Sequence, residues 1–136
     1  MPLVLDASVA LAWCFEDEAS AYADRVQDKL TDDTALVPAI WSLEVANALR
    51  LGERRQRVSG ADVLRFVELV SALPITVENP LMSRDFGPVL DLSRTHNLST
   101  YDASYIELAA REGLPLATHD SRLQAVAKIV GVPLIT

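Results

Sequence analysis

Short apolar runs recur along this chain between longer stretches with helical periodicity, and that alternation restricts the fold more than any other feature. The runs are Leu3–Leu5, Ala35–Val37, Ile75–Val77, Leu114–Ala117 and Pro133–Ile135. They are continuous rather than alternating, which suits strands buried on both faces of a parallel sheet. Helical patterns separate them: Val9–Phe15, Glu18–Leu30, Ile40–Leu51, Ala61–Leu73, Ser83–Thr95, Tyr101–Arg111 and Ser121–Val130. Strands alternating with helices read as βαβ units, hence an α/β three-layer sandwich whose central parallel sheet has about five strands flanked by helices. The punctuation agrees. Thr31–Thr34 is a polar turn, Ser59 is an N-cap for the helix running to Leu73, and Pro74 stops that helix. Gly113 and Gly131 each sit just past a helix, at the C′ position.

The 136 residues fit one domain, 1–136, with no repeat, low-complexity tract or linker to divide them. Half of the chain (50%) is hydrophobic, too much for a solvated, disordered tail. Cys14 is the single cysteine, so an intrachain disulfide framework is excluded. Charged residues or prolines interrupt every apolar run well short of a membrane span, and the N-terminus has no basic region of the kind that opens a signal peptide. The expectation is a soluble, cytoplasmic protein. Its net charge of −7 argues against a general polyanion binder. If the chain handles nucleic acid, the attraction comes from local basic groups or from bound cations.

Four acids stand in unusual places. Asp6 follows Leu3–Leu5 directly, at the carboxyl end of the first strand, where ligands bind in open α/β sheets; capping the next helix is the alternative account. Asp120 repeats the arrangement after Leu114–Ala117, and alone an N-cap explains it. Asp102 lies in Ser99-Thr100-Tyr101-Asp102, which matches a capping box. Glu44 is harder to dismiss. At about 100° per residue it falls inside an apolar arc of the Ile40–Leu51 helix, and a buried carboxylate needs a hydrogen bond, an arginine or a metal. Asn47, one turn on, is the other polar residue bordering that arc and a candidate supporting group.

Taken together, the four acids say more than any one of them. If they converge, their charges repel, and such a cluster either protonates or binds a cation. Carboxylate-only ligands favour Mg²⁺ or Mn²⁺ over zinc, and such ions serve phosphoester hydrolysis by activating water and polarising a phosphoryl oxygen. Competing chemistries lack their motifs: there is no nucleophile elbow, no Gly-rich phosphate loop and no zinc ligand set. Cys14, in an apolar stretch, reads as a core residue. His96 falls at a helix end, and His119 reads as a solvated residue. Arg50, Arg54, Arg55 and Arg57 form the densest basic stretch, either a solvated helix end or a contact for RNA phosphates.

The order Leu-Val-Leu-Asp6-Ala-Ser8, Trp41-Ser-Leu-Glu44-Val-Ala-Asn47, Tyr101-Asp102-Ala-Ser-Tyr and Leu116-Ala-Thr118-His-Asp120 resembles the PIN-domain ribonucleases, and more narrowly the VapC toxins of type II toxin–antitoxin modules. The resemblance covers essentially the whole chain. It implies a PIN-like parallel sheet and Mg²⁺- or Mn²⁺-dependent cleavage of RNA by an activated water. Asp6 and Asp102 match the principal metal-ligand aspartates, Glu44 the helix glutamate and Asp120 the fourth acid. Ser8 and Thr118 match the hydroxyl residues that hydrogen-bond the acids. A homodimer and a cognate antitoxin protein are further implications. Gln124 stands where some members carry another acid. Other readings fit less well. A receiver domain needs paired acids after its first strand and a lysine after a late one, and an Asp-x-Asp phosphatase needs an acid at Ser8. A PIN-like module that binds RNA or protein without cutting remains the alternative.

Overall fold

The computed structural model describes residues 1–136. Its sheet has four parallel strands in the order β3-β2-β1-β4. They are β1 (Leu3–Leu5), β2 (Ala35–Val37), β3 (Ile75–Val77) and β4 (Leu116–Ala117). Around them lie α1 (Ala7–Ala12), α2 (Ala21–Lys29), α3 (Trp41–Arg54), α4 (Gly60–Ala72), α5 (Met82–Arg84), α6 (Leu90–His96), α7 (Thr100–Glu112) and α8 (Ser121–Val130). All three residues of β1 are buried, so both faces of the central strand are covered. The core gathers on β1 and α7, where Val4, Leu5, Ile106 and Leu108 are inaccessible to solvent.

The chain walks from β1 to β2 to β3 in one direction, and β4 then returns to the other side of β1. That reversal opens a crevice at the carboxyl ends of β1 and β4, the place where α/β sheets bind ligands. Leu5 pairs with Ala117, so the next residues, Asp6 and Thr118, emerge side by side at the crevice.

The sheet is one strand smaller than the sequence pattern predicts. Leu134 makes only an isolated bridge to Leu116, because Pro133 brings no N–H to a ladder and β4 offers two residues to pair with. The Ser83–Thr95 helix is also modified. Between α5 and α6, Asp85–Val89 widens into a π-turn around Pro88, which has no N–H to continue the regular pattern.

The start of the second predicted helix differs as well. Glu16–Glu18 forms a separate 3₁₀ turn, and α2 begins after Ser20, whose hydroxyl accepts from the Ala23 N–H. Arg57 pins the turn through Asp17 at 2.9 Å and Glu18 at 2.7 Å, while its guanidinium lies 4.3 Å from the centre of the Phe15 ring. Phe15 fits there because its neighbour is Gly52: a Cβ at Gly52 would stand 2.5 Å from the ring. Cys14 is a half-buried free thiol packed against the core. No helix is long and apolar enough to cross a membrane.

Candidate active site

Asp6 occupies the N-cap position of α1 yet makes no capping hydrogen bond. Its Oδ2 instead accepts from the hydroxyls of Ser8 at 2.6 Å and Thr118 at 2.7 Å. Both donors spend themselves on one oxygen, so the carboxylate is held in a fixed orientation. Asp6 is buried, and burial is the main force raising its pKa; the two hydroxyls oppose the rise and the charge of Asp120 adds to it.

Asp120 does cap its helix. Its Oδ1 accepts from the N–H groups of Arg122 at 2.8 Å and Leu123 at 3.2 Å. The capping interaction leaves Oδ2 with no protein donor, so the cap and a role in the pocket are compatible. The Asp120 N–H donates to Thr118 Oγ1 at 3.0 Å, which links it to the group that holds Asp6.

Asp102 makes half a capping box. Its N–H donates to Ser99 Oγ at 3.0 Å, but its carboxylate does not return to the Ser99 N–H. Burial raises its pKa first, then the charges of Asp120 and Asp6, against a lowering pull from Ser99 and Arg122.

Glu44 is half-buried on α3, and its partner is a tyrosine: the Tyr105 hydroxyl donates to Oε1 at 2.6 Å. Burial raises the Glu44 pKa, the hydroxyl opposes this, and the charges of Asp6 and Asp102 add to the rise. Asp6, Glu44 and Asp102 therefore lie close enough to feel one another's charge, and Asp120 acts on Asp6 and Asp102. As placed, no three of the acidic, histidine or cysteine side chains are close enough to enclose an ion. The arrangement is the open one expected of facing like charges. Its chemistry fits a hard divalent cation: all donors are carboxylate oxygens, and Asp6, Glu44 and Asp120 each keep an oxygen free of protein donors.

Other candidates lie elsewhere. Asn47 is exposed and its side chain makes no hydrogen bond. The buried stripe of α3 is Trp41, Val45, Leu49 and Gly52, which puts Glu44 on its flank and Asn47 on the far side. Arg50, Arg54 and Arg55 are exposed and form no ion pair. Arg54 sits about 15 Å beyond Glu44 along the helix axis. His119 is exposed, with Nε2 3.1 Å from Ser20 Oγ and its ring 5.3 Å from that of Tyr22. Gln124 donates from Nε2 to the Thr118 carbonyl at 2.9 Å, supporting the loop that carries Asp120.

Sequence reasoning missed Tyr105. The available signal was its spacing: it stands one turn beyond Asp102, on the same face of α7. Arg122 was missed too. It is the cation acting on Asp102, and its Nη2 donates to the Asn97 carbonyl at 2.6 Å.

The raised carboxyl values have a sign that can be measured. Asp6 and Asp102 lie above 3.8 and Glu44 above 4.5, so in that window the native chain holds more protons than the unfolded one. Stability then falls as pH rises through the folded values and returns on acidification. In chelator, the chain is expected to melt lower once pH has risen past the range where these acids lose their protons than it does below that range, and Mg²⁺ at the higher pH should close the gap. A melting temperature that rises or stays level from the lower to the higher pH in chelator contradicts this.

The chain belongs to the PIN-domain family, whose model matches residues 3–129. Its curated relatives narrow the class. Ribonuclease VapC9 of Mycobacterium tuberculosis (strain H37Rv) is 32% identical over 135 residues, covering 96% of this chain and 98% of the relative. Ribonuclease VapC12 of the same strain is 32% identical over 123 residues, covering 89% and 88%. Among solved structures, PAE2754 from Pyrobaculum aerophilum superposes with a TM-score of 0.66 at 26% identity, covering 96% of this chain and 88% of that one. FitAcB from Neisseria gonorrhoeae shares the fold with a TM-score of 0.58 at 19% identity, covering 100% and 97%.

Proposed function

We propose that this chain is a divalent-metal-dependent endoribonuclease, hydrolysing RNA phosphodiester bonds and acting as the toxin of a toxin–antitoxin pair. The observation that carries the reading is Asp6: a carboxylate at a helix start that forgoes its cap, is oriented by two hydroxyls, and faces three other acids. The ribonuclease names of its relatives support the same conclusion.

In this reading Asp6, Glu44, Asp102 and Asp120 hold Mg²⁺ or Mn²⁺. When bound, that ion supplies a lowered water pKa and charge stabilisation at the phosphoryl group. The protein's own contribution is alignment. Ser8 and Thr118 keep Asp6 from rotating, Asp120 is tethered through its cap, and Tyr105 steadies Glu44. The pocket is anionic without a cation, so an RNA phosphate approaches only once that charge is balanced. Arg50, Arg54 and Arg55 are candidate contacts for RNA beyond the cleavage point. Residues 1–136 act as one PIN domain in the cytoplasm, as a homodimer, and a cognate antitoxin protein restrains the activity.

The test is incubation of purified protein with structured RNAs in Mg²⁺, in Mn²⁺ and in chelator. Internal cleavage is expected with either ion, lost in chelator and restored by excess metal. The open spacing of the acids favours a second reading, a module that binds RNA without cutting it. RNA bound but intact in both ions selects that reading, and cleavage that persists in chelator counts against both.

A further inference from the structure

Tyr105 is wholly buried and makes its hydrogen bond to a residue 61 positions away in the sequence. It stands three residues after Asp102 on α7, on the same side of the helix, while Glu44 belongs to α3. One hydroxyl therefore ties the helix carrying Asp102 to the side chain of Glu44. No water reaches the tyrosine, so this contact has no solvent substitute. It engages Oε1 of Glu44 and leaves Oε2 without a protein donor. We propose that Tyr105 is a positioning residue, which fixes the distance and orientation of Glu44 relative to Asp102 and so sets the affinity of the pocket for a divalent cation. The inference rests on the metal-dependent reading above and names the group that completes its geometry.

A purely structural account runs the other way: Tyr105 fills the core, and Glu44 merely satisfies its hydroxyl. The two accounts separate in a double-mutant cycle read by Mn²⁺ binding alone, through the paramagnetic signal of the free ion. Tyr105→Phe keeps the ring and removes the oxygen. It is expected to weaken Mn²⁺ binding about tenfold, in line with the effect of removing a group that orients a metal ligand. In a Glu44→Gln background the same change should have no further effect, because the carboxylate it acts through is gone. Glu44→Gln also leaves an acceptor for the tyrosine and supplies a folded reference if Tyr105→Phe proves unstable.

Unchanged Mn²⁺ affinity in folded Tyr105→Phe overturns the inference while the metal reading stands. An equal loss in both backgrounds overturns it as well, since Tyr105 would then act on the pocket without Glu44. Absence of Mn²⁺ binding by the wild-type chain fails the metal reading itself, and the inference with it.

Discussion

Asp6→Asn protein, saturated with Mn²⁺, is expected to cleave RNA at least about 100-fold more slowly than wild type, since removing only an outer partner of a metal ligand costs roughly 10–100-fold. Asparagine has the same shape, and its carbonyl oxygen can accept the Ser8 and Thr118 hydroxyls that now meet at Oδ2. The fold should survive. The substitution removes a charge that burial disfavours and that Asp120 repels, so the variant in chelator should melt no lower than wild type. The informative result is the pairing of a dead enzyme with an undiminished melting temperature, measured by single-turnover cleavage and thermal unfolding. A variant with the wild-type rate removes Asp6 from the chemistry. A variant that is inactive because it unfolds would show the carboxylate holding the fold rather than an ion.

The second large effect lies away from the pocket. Arg111 joins Glu107 at 2.8 Å, Glu78 at 2.5 Å and Glu112 at 2.9 Å. Arg84 completes the group, 2.8 Å from Glu78 and 3.7 Å from Glu107. Glu107 is only 6% exposed, so it depends on these cations. Arg111→Met would leave Glu107 with the longer contact to Arg84 alone. Stranding a buried charge costs about 3–5 kcal/mol, and partial exposure of Arg111 reduces that to roughly 2–3. The melting temperature should fall by about 5–10 °C for a chain of this size. Arg94→Ala is the control, because its pair with Asp91 at 3.7 Å is largely exposed and should contribute less than about 1 kcal/mol. Equal losses in the two variants would mean that Glu107 finds other solvation when Arg111 is removed.

Local features of this chain were readable from its sequence. The bounds of β1, β2 and β3 follow from their apolar runs, and α8 from the cap at Asp120 and the left-handed Gly131. Ser59 closes a full capping box with Asp62. Features that depend on distant partners were not readable. The Glu16–Glu18 turn is set by Arg57, far along the chain, so helix propensity alone carried the predicted α2 too far toward the N-terminus. Asn47 borders an arc centred on Ile40 and Leu51, whereas packing buries the Trp41–Val45–Leu49 stripe and leaves Asn47 exposed. That Glu44 needs a partner follows from its surroundings; that the partner is Tyr105 follows only from the packing of α3 against α7. Of the charge network of Glu78, Arg84, Glu107 and Arg111, only the Glu107–Arg111 pair, at i,i+4 on one helix, leaves a sequence signal; the links to Glu78 and Arg84 join distant elements.

The two-residue β4 also governs when the pocket can exist. Asp6 is made early, but Thr118 and Asp120 reach it only after β4 has docked beside β1 in the register that pairs Leu5 with Ala117. A growing polypeptide that has completed the other three strands still lacks Thr118, one of the two hydroxyl residues that hold Asp6. The acid cluster is thus completed only at the closing stage of synthesis.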